Sequence, residues 1–288
     1  LEFDNNQLEI LGNTEAMEGR FRLDGRLFFE RQPRLSARLI CQDIDVSTFF
    51  RQTGNFGQEV LKSEQVEGRL NAKMAIDAYW DAQGNYQEDR LRVLAGIGIN
   101  DGRLRDFELL ESFSTFVKIQ DLKDIRFTNM QNFLEVRNRT LYLPVMFLQS
   151  NAVNLTVNGE HHFDNEFRYN LKVNAGQVLM DRFKRHDPDL QPKPARRRGF
   201  FNLHYTVFGN MDRYEIESAK RLVKSEFERS EQRRRQILAA LRRHFEEMDL
   251  IDEPEAWKDV DAPPSSPPAE EPEFLDFEIE GRSGGRRN

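Results

Sequence analysis

Eight segments of this chain alternate apolar and polar residues with a period of two, and many are longer than an ordinary strand. The clearest runs from Val66 to Trp80. Val66, Leu70, Ala72, Met74, Ile76, Ala78 and Trp80 point one way, and Glu67, Arg69, Asn71, Lys73, Asp77 and Asp81 point the other. Successive side chains of a strand leave opposite faces, so the segment has one oily face and one wet face. A series of such strands makes a sheet whose oily side needs a cover. What covers it is the functional question.

The same alternation marks Phe21 to Phe29, Leu35 to Cys41, Leu91 to Ile99, Leu141 to Phe147, Val153 to Val157, Phe167 to Ala175 and Phe201 to Val207, and a short run from Phe133 to Val136 continues the meander. A shorter strand begins at Ile125 and Phe127. Turn residues punctuate the series at Gln32-Pro33, Gly84-Asn85 and Asn100-Asp101-Gly102. Short connections imply antiparallel pairing in a meander. Eight such strands span roughly 38 Å, which is wide for short helices to cover.

Three stretches break the pattern. Residues 47–63 carry Phe49, Phe50, Phe56, Val60 and Leu61, which fit one or two short helices lying on the sheet. From Arg105 to Gln120 the period becomes helical, and a short helix is expected over Gln177 to Arg185. His186 to Arg198 reads as a proline-bearing loop. A charged amphipathic helix is expected over 213–249, and 250–288 reads as an acidic, Pro-rich disordered tail. Residues 1–212 then form the β-sheet domain.

Composition narrows the classes of function. Hydrophobic residues make up 38% and charged residues 32%, a balance suited to a sheet with a solvated face. The 23 Phe against 6 Tyr place large apolar groups where no hydrogen-bond partner is at hand. Net charge is -7, and from Asp249 onward twelve acidic residues face four basic ones, so the remainder is nearly neutral. That distribution gives no nucleic-acid footprint. The single Cys41 sits in an oily phase and reads as a small buried hydrophobe. The chain begins at Leu1 and shows no signal-like or membrane-spanning run, so it reads as the C-terminal part of a longer protein.

No constellation points to catalysis. His161 and His162, beside Glu160 and Asp164, leave opposite faces of a strand and so do not ligate one ion together. His186-Asp187 has no nucleophile with it, and the glycines at 96, 98 and 102 lack the phosphate-loop context. The expectation is a protein that is not an enzyme and has no metal or cofactor. The basic run ending in Arg196, Arg197 and Arg198 is a candidate for anionic headgroups, or else a solvated loop. From the residues alone the oily face is either the core of a closed sandwich or an open wall.

An ordered set of phrases bears on that choice. Val66-Glu67-Gly68-Arg69-Leu70 opens it, followed by Ile97-Gly98-Ile99-Asn100-Asp101-Gly102-Arg103-Leu104 and a Phe/Leu-rich run from Phe107 to Ile119. Leu122-Lys123-Asp124-Ile125-Arg126-Phe127 comes next, then Ser150-Asn151-Ala152-Val153-Asn154-Leu155 and Asn158-Gly159-Glu160-His161-His162-Phe163. In these features the stretch from Glu64 to Ala175 resembles the C-terminal region of the AsmA family, which includes TamB-like and other AsmA-like envelope proteins. The Arg-rich helix and acidic ending are departures from that pattern.

The resemblance implies a mainly β fold, a long antiparallel meander sheet, curved and grooved, with short covering helices. It implies a periplasmic protein held in the inner membrane by an N-terminal anchor outside this chain. The implied work is phospholipid transport between membranes, or support of outer-membrane assembly. Phospholipid acyl chains are then the expected partner, with an envelope protein as a possible second. The residues expected to face the groove are Leu70, Met74, Ile76, Val93, Ile97, Leu155, Val157, Leu171 and Val173. The rival expectation is a structural scaffold that binds partners through its sheet edge and terminal helix.

Overall fold

A computed structural model describes residues 2–4, 6–107, 123–152, 154–174, 202–248 and 250–251. Thirteen strands form one sheet. They are β1 (Glu2–Asp4), β2 (Gln7–Ala16), β3 (Gly19–Phe28), β4 (Arg34–Asp45), β5 (Val66–Tyr79), β6 (Arg92–Arg105), β7 (Asp124–Arg126), β8 (Met130–Arg137), β9 (Thr140–Leu148), β10 (Leu155–His162), β11 (Phe167–Asn174), β12 (Asn202–Gly209) and β13 (Tyr214–Ser218). The spatial order follows the chain order, every pair is antiparallel, and β7 adds beside β8 on the same side of β6. The mainly β, open meander architecture is as the alternation dictates.

Register carries one face across the whole sheet. Leu27, Leu35 and Ala78 lie on one rung, and Leu23, Leu39, Met74, Ala95 and Leu134 on another. Farther along, Leu143 faces Gly159, while Val157 pairs with Leu171 and Leu171 with Tyr205. This is the oily face. It holds two buried clusters, one around Cys41, Ile44, Val66, Leu70 and Ala72, the other around Leu155, Val157, Leu171, Val173 and Tyr205. Leu104 packs against both.

The Asn100-Asp101-Gly102 phrase, expected to be a turn, lies inside β6. Asp101 takes φ 52° and Gly68 opposite takes φ 138°, where the register slips by one residue. The two make a β-bulge, and glycine tolerates that conformation without steric cost. Gly102 has a second reason to be glycine, since a Cβ there would stand 2.0 Å from the Phe127 ring.

Between β4 and β5 comes helix α1 (Val46–Gln52), with Asp45 accepting a hydrogen bond from the Thr48 amide at 2.7 Å as its N-cap. Two 3-10 turns follow, at Gly54–Gly57 and Ser63–Gln65. Phe49, Phe50 and Leu61 lie against the first cluster, as expected of elements resting on the sheet.

The terminal helix begins later than its charge pattern suggests. Tyr214, Ile216 and Ser218 alternate with Glu215 and Glu217, so this stretch pairs with β12 as β13 before helix α2 (Lys220–Leu241) starts. The helix stripe Val223, Phe227, Ser230, Ile237 and Leu241 has helical spacing. It lies on the face opposite the two clusters, where Ile237, Leu241, Phe245 and Met248 pack on Phe133, Leu94 and Ile40. The helices expected over 105–120 and 177–185, the loop 186–198 and the acidic tail fall mostly or wholly outside the described residues, although Arg105 itself ends β6.

Candidate apolar face for acyl chains

All nine residues expected to line a groove lie on the oily face, in two groups. Ile76 pairs with Val93 and Ala72 with Ile97, placing Leu70, Met74, Ile76, Val93 and Ile97 together on β5 and β6. Leu155 pairs with Val173 and Val157 with Leu171 on β10 and β11. Strands β8 and β9 separate the groups by about 14 Å, and carry Leu134, Val136, Leu141 and Leu143 between them.

The two groups differ in exposure. Leu155, Val157, Leu171 and Val173 are 3–8% exposed, in one buried cluster with Val60, Ile125 and Ala152, against which Phe107 packs. They are core. Leu70 is buried too, under the elements that follow β4. Met74, Ile76, Val93 and Ile97 are half-buried, as are Leu23, Leu27, Leu35, Leu39, Leu134, Val136, Leu141 and Leu143 around them. Side neighbours in a sheet hide about half of a residue, and Met74, Ile97 and Leu39 also pack against the cluster around Leu70 and Ala72. Six strands by four alternate residues make about 24 by 20 Å. That outline includes Gly25, Ala37, Ala72, Ala78 and Ala95, which are buried, so its exposed apolar area is smaller than the outline.

Asn132 is a polar intruder that sequence reasoning missed. It is fully buried on the oily side, pairs with Ile97, and donates from Nδ2 to the Pro144 carbonyl at 3.0 Å. The carbonyl belongs to an irregularity in β9, where three residues of β9 pass two of β10. The signal in the sequence was an asparagine breaking the run Met130, Leu134, Val136.

The opposite face is polar, and part of it is buried. Asn158, Asn170 and Thr206 share one rung, each under 8% exposed, and Thr206 donates to Asn170 at 3.0 Å. The α2 backbone lies over them, Asn158 donating to the Glu226 carbonyl at 3.4 Å. Beyond the helix the chain runs across β6. Gln131 brackets it, donating to the Met248 carbonyl at 3.0 Å and accepting from the Leu250 amide at 3.1 Å. Gly96 and Gly98 give it a flat bed, since a Cβ on Gly98 would come within 2.6 Å of Ile251. Lys73 donates to the Glu247 carbonyl at 2.6 Å and Arg38 reaches the His244 carbonyl, placing cations just past the helix C-terminus.

The two adjacent histidines take different environments. His161 is on the oily side, stacked on Phe167 with Nδ1 3.2 Å from the Tyr169 hydroxyl. His162 faces the other way, with Nδ1 3.0 Å from Thr140 Oγ1. Burial pushes the His161 pKa below its ordinary value, and raises Tyr169 to about 12. Among the described residues no three His, Cys, Asp or Glu side chains gather as metal ligands. No described helix is long and apolar enough to cross a membrane. An open depression of about 580 Å³ at the β2–β3 turn is lined by Glu15, Glu18, Arg20 and Asp43, a charged wall unsuited to hydrocarbon. Arg196, Arg197 and Arg198 lie outside the described residues.

Comparison with protein-family models, with curated proteins and with solved structures finds no match.

Proposed function

We propose that this chain is a non-enzymatic module of an AsmA-like envelope protein, whose open apolar face shields phospholipid acyl chains from water. One observation carries the reading. Among the described residues the long helix packs on the polar face, while Met74, Ile76, Val93, Ile97 and their neighbours are half-buried on the oily one. Hydrocarbon chains are the cover assigned to that face. Each CH₂ kept from water is worth about 0.8 kcal/mol, so a wall of this size changes the cost of moving a lipid by many kcal/mol. No proton transfer or covalent step is involved. The wall then serves transport between membranes or outer-membrane assembly from the periplasm.

The scaffold reading has less to work with, because α2 has already spent its apolar stripe on Phe133, Leu94 and Ile40. What favours it is the free edge of β2 beyond Glu9, where Leu11 is 70% exposed.

The test is mass spectrometry of organic extracts from purified protein. Native protein should carry phospholipid, and the pair Met74→Glu with Ile97→Glu should carry none while keeping its β circular dichroism. Lipid retained at native levels by that folded variant would end the proposal.

A further inference from the structure

Helix α2 and the sequence that follows it carry opposite charge. Counted on to Arg243, the helix has nine Lys and Arg against Glu226, Glu228 and Glu231. Its apolar stripe faces the sheet, so most of the cations point away from it. Seven of the nine are exposed, and of the three glutamates only Glu228 is. Arg229 pairs with Glu226 at 2.7 Å, Arg233 pairs with Glu135, and Arg234 lies 5.1 Å from the Phe133 centroid. Arg221, Arg235, Arg242 and Arg243 form no ion pair among the described residues. Exposed Glu215 and Glu217 precede the helix and Glu246 and Glu247 follow it, so the positive excess belongs to the helix ridge itself.

The chain then turns back on the helix. α2 crosses the polar face from Asn158 of β10, past Val145 of β9, to Ile40 of β4. Beyond Arg243 the direction reverses. The His244 carbonyl meets Arg38 of β4, the Glu247 carbonyl Lys73 of β5, and the Met248 carbonyl Gln131 of β8. This return lies beside α2 and points toward its N-terminal end. From Asp252 to Glu280 the sequence holds eleven Asp and Glu against Lys258 alone. From β8 to β13 the sheet measures about 24 Å, and ten extended residues span about 33 Å. Residues 252–261, with five of those carboxylates, therefore suffice to reach Lys220.

We infer that the exposed ridge of α2 is the docking surface of this chain's own acidic segment, residues 252–280, laid antiparallel along it. Each exposed ion pair contributes little alone, so the contact rests on their number. Cations recur from Arg221 to Arg243 and carboxylates recur through the segment, so attraction runs the length of the helix. A segment tethered at Ile251 acts at an effective concentration on the order of millimolar, which favours it over a polyanion from solution. The inference goes beyond the acyl-chain reading and does not depend on what the oily face holds.

The experiment is zero-length cross-linking of the purified full chain with a carbodiimide, which joins a carboxylate to a lysine amine only where the two touch. Peptide mass spectrometry should find carboxylates of 252–280 linked to Lys220 and Lys224 within the monomer. Lys62, exposed among the elements on the oily side, is the control and should be linked far less. Raising salt should remove the helix links. Arg221→Gln, Arg235→Gln, Arg242→Gln and Arg243→Gln combined leave both lysines in place. They should weaken the contact by about twofold per arginine, with unchanged circular dichroism. A second variant, Asp252→Asn with Glu253→Gln and Glu255→Gln, leaves the sheet untouched and should lower the links made by Glu270 to Glu280. Equal linking to Lys62, links formed only between molecules, or an undiminished yield in the folded variants would overturn the inference.

Discussion

The hydroxyl of Ser230, in the middle of α2, accepts a hydrogen bond from the backbone amide of Val145 at 2.7 Å. Val145 belongs to the irregular part of β9, where the pairing with β10 slips and a ladder amide loses its strand partner. The helix supplies the missing acceptor. This explains why a serine, only 8% exposed, stands in the apolar stripe between Phe227 and Ile237.

Replacing Ser230 by Ala should therefore leave a buried N–H without a partner. A loss of about 1–3 kcal/mol in stability is expected. Urea unfolding of Ser230→Ala against native protein measures it, and an unchanged midpoint would mean that Val145 finds another acceptor.

Gly98 should resist enlargement for a reason outside its own strand. A Cβ there would stand 2.6 Å from Ile251 Cγ2 and 2.9 Å from Leu250 Cβ, so the segment crossing β6 must lift. Gly98→Val is expected to cost about 1–3 kcal/mol and to free the chain beyond Phe245 for cleavage. Limited proteolysis followed by intact mass reads this directly.

Stability should fall as the solution is acidified from neutrality, with His161 contributing to the slope. Burial holds its folded pKa below the ordinary value, so on acidification the unfolded chain takes up the proton first. The contribution is full above the ordinary histidine range near pH 6.5 and is lost progressively below it. Thermal unfolding across that window should show a shallower pH dependence in His161→Gln than in native protein. Parallel curves would remove His161 from the account.

Cys41 should be silent in the folded protein. It is 1% exposed, pairs with Ala72 across the strand, and burial pushes its thiol up to about 12. Thiol reagents at mildly alkaline pH should label it only after denaturant is added. Rapid labelling of native protein would show that β4 and β5 open locally.

Much of the sheet was legible because alternation needs no tertiary knowledge. Three strands escaped notice: β1, only three residues long, and β2 and β13 for opposite reasons. In β2 the oily phase is diluted by Gly12, Thr14 and Ala16, while β13 is short and its glutamates merge with the charged helix that follows. The phrase Asn100-Asp101-Gly102 was misleading, because the residues that favour turns also favour a bulge within a continuing strand. For the candidate site, which residues share a face was readable, since spacing by two is enough. Which of them are covered was not readable. Leu155 and Ile97 look alike in sequence, yet one is core and the other is half-buried, because Val60, Ile125 and Ala152 join the cluster around the first.

Period-two chemistry by itself determined a broad antiparallel sheet with one continuous oily side, because each strand must present its alternate residues together. Only the tertiary structure decided where the helix goes. Asn158, Asn170 and Thr206 fall in the polar phase, yet α2 lies on them, and among the described residues the oily strip of Met74, Ile76, Val93 and Ile97 is only half-buried. The physical reason is local to the polar face. Phe133, Leu94 and Ile40 offer the helix an apolar landing, while Ser230, Gln131 and Asn158 satisfy the backbone groups around it.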